Sequence, residues 1–489
     1  MKSLTTYKKE LLPRPVFSEN ERLVELYYAA FSLAYKNLDY TELLGGKEIL
    51  TCMPGSGKIW QWDSAFMTLM TNYSNGTLSA LNNLDLLYAL RRKEDGFMAM
   101  AYRLDTQKPA YGERINPPIM ALMEWEYYLV SGDASRFSSI LPALEGIYSF
   151  IENNRKRNEI GLYYFEDTGS SGMDNSPVSG YFARHLDGSD TCFLDLACQQ
   201  AISADALSKI TEKLGENEKS AYYKSEYERI INLINRHHYS ERAGWYLNLF
   251  ARAEEGKRPK FINSKTAAGF WALLSGAAKG ERLQAVVKTL LNPEEFNTKI
   301  PFATLSRLDP NYEELGGYWL GGVWAPTNYV AIRALMENGY RKEARETTQS
   351  YLDGILSVYL NNEYGTIWEC YAPDRLRPAS TEEKELCRPD FVGWSGIGPV
   401  TLFIESLIGL SFKADENAVI LHPESEKRTG LENMLFNGAK ISVVYEKQSD
   451  GKLKIFTNAE KPTTLLVYKN ETEGPVRLEI PRGEQIYTV

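Results

Sequence analysis

Histidine is scarce in this chain of 489 residues, which has only four, and cysteine, with five, is hardly more common. The cysteines form neither a C-x-x-C pair nor a zinc spacing, and their odd number indicates reduced thiols rather than a disulfide framework. So few histidines also argue against a histidine-rich metal site. The sequence therefore predicts no metal and no other cofactor.

Two further absences concern partners and location. Acidic residues outnumber basic ones by 64 to 55 and no basic patch occurs, which argues against a nucleic acid or an anionic membrane as partner. No stretch approaches the roughly 18 apolar residues of a membrane span, and the first residues lack the apolar region of a signal peptide. The expected location is the cytoplasm, or the periplasm or cell exterior if a signal peptide was removed. The sequence leaves the oligomeric state open.

The segment GSGKIWQWDSAF, residues 55–66, begins like the end of a phosphate-binding loop. Such a loop has a glycine five positions before the Gly-Lys pair and a Ser or Thr after the lysine. Cys52 and Ile59 occupy those two positions here. A nucleotide site is therefore not expected, and the segment belongs either to the core or to a site for another ligand.

Most of the first 410 positions show hydrophobic residues at three- and four-residue spacing, which indicates helices. Twelve segments follow this pattern: 20–37, 62–74, 78–92, 117–131, 135–154, 190–214, 217–237, 264–278, 281–291, 325–338, 341–360 and 395–409. The connections after the second, fourth, sixth, eighth and tenth segments are only a few residues long, as in antiparallel helix hairpins.

The other six connections are long, and loops of such length are usually functional. We number them first to sixth: 38–61, 93–116, 155–189, 238–263, 292–324 and 361–394. If successive helices alternate in direction, all six loops emerge at the same end. The sequence thus predicts a mainly α fold, an (α/α)6 barrel over residues 1–414, with a pocket at the rim formed by these loops.

From about residue 415 the pattern changes to short apolar alternations separated by turn residues. These segments are NAVILHP, AKISVVYEK, KLKIFT, TTLLVYKN, VRLEIP and QIYTV. They predict a small, antiparallel, sandwich-like β-domain over residues 415–489. No chemical cluster occurs in it, so its expected role is packing, with carbohydrate binding as the alternative.

Aromatic residues, glycines and carboxylates are concentrated in the long loops. A pyranose offers apolar C–H faces to aromatic rings and hydroxyls to carboxylates and amides, so this rim suits a sugar. A single tryptophan at a helix end more often belongs to the hydrophobic core. A sugar site is favoured only because several tryptophans and acids lie on separate loops that the predicted fold brings to one rim. The predicted substrate-binding residues are Trp60, Trp62, Asp63, Phe66, Arg114, Asn116, Tyr318, Trp319, Trp324, Trp368, Tyr371 and Trp394.

Asp174 and Glu369 are the best candidates for catalysis. Hydrolysis of a glycosidic bond requires two carboxyl groups, one that donates a proton and one that acts on the opposite face of the ring. Asp174 lies in a Ser/Gly-rich loop that can aim a short side chain, and Glu369 lies between Trp368 and Cys370, in surroundings of low polarity. Local sequence does not assign their roles, and each can also be read as a surface acid or a helix cap.

At these residues the chain resembles glycoside hydrolase family 63, which includes processing α-glucosidases and mannosylglycerate hydrolases, and the related trehalases. The resemblance covers roughly residues 50–410 and rests on WQWDSAF, RINPP, SGMDNSP, YWLGGVWAP and WECYAP, in that order. It implies an (α/α)6 barrel and an inverting mechanism, with Asp174 as general acid and Glu369 as general base that activates water. It further implies that the sugar whose bond is cut is held by Trp62, Asp63, Arg114 and Asn116.

The departures from the family pattern concern the substrate. Leu320, Gly321 and Gly322 stand where the family often has a basic residue and a proline, and Val178 stands where an arginine is common. Trehalases have Q-W-D where this chain has YWL at 318–320. The resemblance therefore implies an α-glucoside or α-mannoside of a short oligosaccharide or small aglycone, with trehalose as an alternative.

Two other functions compete with hydrolysis. A non-catalytic carbohydrate-binding barrel would keep the aromatic rim without the chemistry. A sugar epimerase on the same fold would carry histidines as proton carriers on several rim loops. This chain has only His185 and the pair His237 and His238 in or beside such loops.

Overall fold

The computed structural model describes residues 4–157, 159–177, 190–251, 259–470 and 473–489. Val178 and His185 lie outside the described residues. The helices within these ranges are α1 (Glu21–Lys36), α2 (Gln61–Thr71), α3 (Leu81–Leu90), α4 (Met120–Ser131), α5 (Ser135–Asn154), α6 (Leu194–Lys213), α7 (Asn217–His237), α8 (Ala268–Leu274), α9 (Gly280–Leu290), α10 (Ala325–Glu337), α11 (Arg341–Tyr359) and a π-helix (Gly398–Ile408).

Each of the twelve predicted helical segments is confirmed, with ends that agree to about four residues. The last one differs in type, because a short 3-10 turn at Ser395–Ile397 leads into the π-helix. Further 3-10 turns lie at Lys9–Leu11, Leu43–Gly45 and Gly169–Ser171. Periodicity reports that a segment is helical, but it does not distinguish an α-helix from a π-helix.

The even-numbered helices form an inner layer. Helices α2, α4, α6, α8 and α10 pack against one another in chain order, and the π-helix contacts both α10 and α2. Every residue of α2 is buried, whereas α7 buries only Tyr223, Ile230 and Ile234 among its 21 residues. A helix that is buried on every side belongs to the inner layer and an amphipathic helix to the surface, so this order of contacts fits α/α-barrel packing.

Two sheets contain most of the strands. The five-stranded sheet runs in the order Arg14–Phe17, Thr429–Phe436, Ala439–Lys447, Leu453–Ala459 and Gly483–Thr488, and all its pairs are antiparallel. The four-stranded sheet runs in the order Leu410–Lys413, Ala418–Leu421, Thr463–Val467 and Val476–Ile480. Its central pair is parallel, which corrects the prediction of a purely antiparallel arrangement. A parallel pair requires a long connection between its strands, and local alternation carries no sign of it.

Four short two-stranded ribbons accompany the long loops. They pair Leu38–Thr41 with Lys47–Leu50, Lys58–Trp60 with Ala101–Arg103, Thr191–Cys192 with Leu249–Phe250, and Tyr239–Ser240 with Trp245–Tyr246. The second ribbon joins the first loop to the second, and the third ribbon joins the segment just before α6 to the fourth loop. Within the described ranges, no helix is both long and apolar enough to cross a membrane.

All five cysteines are free, as predicted, and all five are buried. The buried polar groups include Asp195, near the start of α6, whose side chain is fully buried. No side chain among the described residues bonds to its carboxylate, and the amide group of Gln199 one turn later has no hydrogen-bond partner among them. Burial raises the pKa of Asp195 to about 7. The ionised form is therefore disfavoured in the folded protein.

Asp195→Asn is expected to raise the melting temperature, and to raise it more at pH 8 than at pH 5. Because the folded pKa lies above the unfolded value, ionisation of Asp195 destabilises the fold progressively between about pH 4 and pH 7, by at most about 4 kcal/mol. Thermal unfolding at the two pH values measures this. Asp205→Asn is the matched control on the same helix, since Asp205 is partly exposed and paired with Lys209. An equal gain in melting temperature at both pH values would contradict the raised pKa of Asp195.

Candidate active site

Glu369 is held by donors from two loops. Its side chain is almost fully buried, at 5% exposure. The hydroxyl of Tyr318, on the fifth loop, donates to Oε1 at 3.1 Å, and the backbone N–H of Arg388, on the sixth loop, donates to Oε2 at 3.3 Å. The backbone of Glu369 also pairs with Arg388, because its N–H donates to the Arg388 carbonyl at 2.9 Å. This set of donors orients the carboxylate and stabilises its negative charge.

Asp174 lies beside a link between the third and fifth loops. The Thr168 hydroxyl donates to the Asp174 carbonyl at 2.6 Å. The next residue, Asn175, is fully buried; its Nδ2 donates to the Gly317 carbonyl at 3.0 Å, and its Oδ1 accepts the Trp319 N–H at 2.9 Å. These contacts flank Tyr318, which reaches Glu369. One chain of hydrogen bonds thus joins the loop that carries Asp174 to the carboxylate of Glu369.

Tyr318 and the two tryptophans near it form one aromatic cluster. Trp319 and Trp324 stack with ring centroids 4.1 Å apart and an interplanar angle of 5°, and Tyr318 meets Trp324 edge-on at 4.8 Å. Trp394 meets Trp324 at 5.6 Å. Trp319 and Trp324 are almost fully buried, so the faces of their rings contact other protein side chains. Tyr318 itself has φ +68°, an uncommon conformation for a non-glycine residue, and such backbone strain concentrates at functional sites.

Asp63 lies near Glu369, at the start of α2. It is 6% exposed, and the Cys52 thiol donates to its Oδ1 at 2.8 Å. Burial raises the pKa of Asp63 to about 6, the charge of Glu369 raises it further, and the thiol and the cation of Arg388 oppose the rise. The structure therefore brings the carboxylate of Asp63 into electrostatic reach of Glu369.

The other aromatic residues of the first loop and α2 divide into two groups. Trp62 meets Phe66 at 4.9 Å, and both face Trp271 of α8. The third loop lies on Trp62, because a Cβ added at Gly172 would be 3.1 Å from the indole ring, and Gly172 has φ +79°. Trp60 lies apart from this group, against the ring of Tyr111 at 5.3 Å.

Arg114 and Asn116 hold the loop that carries Asp174. Arg114 Nε is 2.7 Å from Oδ2 of Asp167, a carboxylate whose Oδ1 accepts the Ser170 N–H at 2.9 Å. Asn116 Nδ2 donates to the Ser170 carbonyl at 3.1 Å. Both side chains thus have protein partners in this structure, and they fix the position of the third loop.

Trp368 and Tyr371 form the turn around Glu369. The Trp368 indole donates to the Tyr364 carbonyl at 3.2 Å, and the Trp368 N–H donates to the Tyr371 hydroxyl at 3.1 Å. Tyr371 is buried, and its backbone pairs with that of Val323 on the fifth loop. These contacts attach the sixth loop to the fifth directly beside Glu369.

Three of the predicted tryptophans carry buried indole N–H groups for which no acceptor exists among the described residues: Trp60, Trp62 and Trp394. An indole nitrogen is only a donor, so each of these groups needs an oxygen from a ligand or from water. Sugar hydroxyls are suitable acceptors.

A separate cavity of about 480 Å³ lies near the C-terminal ends of α2, α4 and α10, beside the four-stranded sheet. Its lining includes Arg333, Glu405 and His422, and none of the predicted site residues. The two acids and this cavity are therefore different features of the molecule.

Four residues that contact or adjoin predicted site residues were not themselves predicted from the sequence: Cys52, Asn175, Trp271 and Arg388. Asn175 lies within the quoted segment SGMDNSP, so its place beside Asp174 was a usable signal. Trp271 lies inside an apolar helix and the other two lie in ordinary loop sequence, where only the folded chain shows their contacts.

Most of this chain matches one known family of enzymes. Residues 57–383 match the family model of the mannosylglycerate hydrolase MGH1-like glycoside hydrolase domain. This match covers more than half of the chain, which therefore belongs to this family of glycoside hydrolases. The predicted resemblance to family 63 is confirmed, and the molecule is a glycosidase.

Individual relatives are distant. An uncharacterized protein of Borreliella burgdorferi is 26% identical over 401 residues, which cover 80% of each chain. The mannosyl-oligosaccharide glucosidase of Saccharomyces cerevisiae is 22% identical over 279 residues, which cover 53% of this chain and 32% of that protein. The crystal structure of the GH63 mannosylglycerate hydrolase of Thermus thermophilus in complex with glucose has a TM-score of 0.59 at 17% identity, and the alignment covers 76% of this chain and 98% of that chain. This last likeness shows the fold alone.

Proposed function

We propose that this glycosidase hydrolyses an α-linked glucoside or mannoside of a short oligosaccharide or small aglycone, with inversion at the anomeric carbon. The names of the relatives, a glucosidase and a mannosylglycerate hydrolase, support these two sugar classes. The observation that carries the proposal is the chain of hydrogen bonds from Asn175 through the fifth loop to Tyr318 and Glu369, because it sets two carboxyl groups on adjoining loops.

In the proposed reaction Glu369 is the general base. Its carboxylate, oriented by Tyr318 and by the Arg388 N–H, takes a proton from water while the water oxygen attacks the anomeric carbon. Asp174 is the general acid, and it gives its proton to the glycosidic oxygen as the bond to the aglycone breaks. Inversion requires roughly 6.5–9.5 Å between the two carboxyl groups, which leaves room for the water.

The remaining assignments belong to the same proposal. Asp63 accepts hydrogen bonds from sugar hydroxyls, the unpartnered indole N–H groups donate to them, and Arg114 and Asn116 contribute mainly by holding the third loop. The helices form an (α/α)6 barrel within residues 1–414. Residues 415–489, together with the strands Arg14–Phe17 and Leu410–Lys413, form a β-domain whose role is packing. The cytoplasm is the proposed location.

The test is hydrolysis of a panel of α-linked disaccharides and methyl α-glycosides together with their β-linked counterparts, in which each glucoside is matched with the mannoside of the same aglycone. We expect turnover of at least one α-glucoside or α-mannoside, and NMR during the first turnovers should show release of the β-anomer. The same preparation carrying Glu369→Gln controls for a contaminating glycosidase. First release of the α-anomer would overturn inversion, and activity confined to β-glycosides would overturn the substrate class.

A further inference from the structure

Cys52 lies where the first loop meets Asp63. Its side chain is 4% exposed, and its Sγ is 2.8 Å from Asp63 Oδ1. Burial raises the pKa of the thiol, and the charges of Asp63 and Glu369 raise it further, so the sulfur keeps its proton and acts as a donor. No other side chain in the described part of the chain donates to the Asp63 carboxylate. One oxygen of this carboxylate therefore has a fixed protein partner, and Oδ2 has none among these side chains.

The position of Cys52 is fixed from two sides. On one side, a Cβ added at Gly393 of the sixth loop would lie 2.2 Å from the Cβ of Cys52, so only glycine allows this approach. On the other side, Asn83 of α3 bonds both the N–H and the carbonyl of Leu50, and it also reaches the Ser64 hydroxyl at 3.2 Å. The segment before the thiol and the residue after Asp63 are thus tied to one amide side chain. This arrangement holds the donor still relative to the carboxylate.

We propose that Cys52 is a positioning residue for substrate binding: its S–H bond to Oδ1 holds the Asp63 carboxylate so that Oδ2 accepts a sugar hydroxyl. This inference rests on the proposed function, since it assigns a partner to the carboxylate that is proposed to bind the sugar. The thiol itself does not touch the substrate. Its effect reaches the reaction only through the orientation and charge of Asp63.

Loss of the thiol has a predictable consequence for pH dependence. The groups that act on Asp63 are Cys52, Glu369 and Arg388. The thiol favours the ionised carboxylate, so its removal raises the pKa of Asp63. As the pH falls, Asp63 is then protonated earlier, and the sugar loses its charged acceptor at a higher pH than in the parent protein. Glu369 and Asp174 are the other carboxyl groups of the proposed site, so the measurement requires a protein from which both have been removed.

The experiment therefore uses the full chain with Asp174→Asn and Glu369→Gln as the parent, in which turnover is blocked and Asp63 is the one remaining carboxyl among the three proposed for the site. Calorimetry measures the affinity for methyl α-glucoside and methyl α-mannoside between pH 5 and pH 8. Cys52→Ala is expected to lower the affinity at pH 7 by about threefold to tenfold. It should also move the midpoint, the pH at which half of the maximal affinity is lost, to a higher value. Cys52→Ser keeps a hydroxyl donor, and we expect its midpoint to stay close to that of the parent.

Cys198→Ala is the matched control, because Cys198 is also fully buried but lies in α6 beside Ser275. It should lower the melting temperature without moving the affinity or the midpoint. If Cys52→Ala behaves like Cys198→Ala, Cys52 only fills space and the inference is overturned, while the proposed function stands. If the parent protein binds neither glycoside, the proposed sugar site fails, and the inference fails with it.

Discussion

Glu369→Gln is expected to reduce kcat by about three orders of magnitude or more while KM and the melting temperature change little. The amide keeps the size of the side chain and can still accept the Tyr318 hydrogen bond, but it cannot take a proton from water. Loss of a group that acts only in the transition state lowers kcat and kcat/KM together. Steady-state kinetics and thermal unfolding measure these quantities on the best substrate of the panel.

Asp174→Asn should cause a loss of similar size, but one that depends on the leaving group. An aryl glycoside with an acidic phenol needs little protonation as it departs, so it should recover much of the activity in this variant. It should recover none in Glu369→Gln, since water activation is still missing there. The pair of variants thus separates the acid from the base.

Glu385→Gln is the matched control for both variants, because Glu385 lies on the sixth loop with Glu369 and its side chain is exposed. Its kinetics should equal those of the unmodified protein. Near-normal hydrolysis by Glu369→Gln or by Asp174→Asn would show that the role assigned to that residue is wrong. Rescue of both variants by the aryl glycoside would contradict the assignment of the base.

The sequence predicted helices better than strands because helix periodicity is a local property. Thr429–Phe436 was not predicted, since Glu432 and Asn433 interrupt its alternation at a bulge between Leu431 and Met434. Arg14–Phe17 pairs with this strand across more than 400 residues of chain, and nothing near Pro15 indicates such a partner. Pairing over that distance depends on the folded arrangement, which local patterns do not record.

In the candidate site, too, the sequence indicated the local residue types but not their long-range partners. The segments around Asp174 and Glu369 led to the prediction of two catalytic acids, and the structure places both residues on loops linked by hydrogen bonds. Arg114 and Asn116 were chosen for their chemistry, yet their partners in the third loop are visible only in the fold. A sequence shows which groups can bond, whereas the choice among possible partners is made by packing.

Asp63→Asn and Asp63→Ala are expected to lower kcat/KM by about a hundredfold or more. A charged acceptor contributes roughly 1.5–3 kcal/mol for each hydrogen bond, and a carboxylate can accept bonds from two sugar hydroxyls. With the pKa of Asp63 near 6, the unmodified protein should also lose kcat/KM as the pH falls through this value. Asp105→Ala, at an exposed position of the second loop, is the control and should leave kcat/KM unchanged.

Stability distinguishes a binding role of Asp63 from a structural one. The pKa of this carboxyl is raised by burial, so its ionised form costs stability at every pH above its unfolded value near 4, and the cost is greatest above pH 6. Asp63→Asn removes that cost, and we expect the melting temperature at pH 8 to stay constant or rise while kcat/KM falls. A buried charge kept against stability is the signature of a functional group. Unchanged kinetics with a lower melting temperature would instead place Asp63 in the core, where the thiol of Cys52 would be only its packing partner.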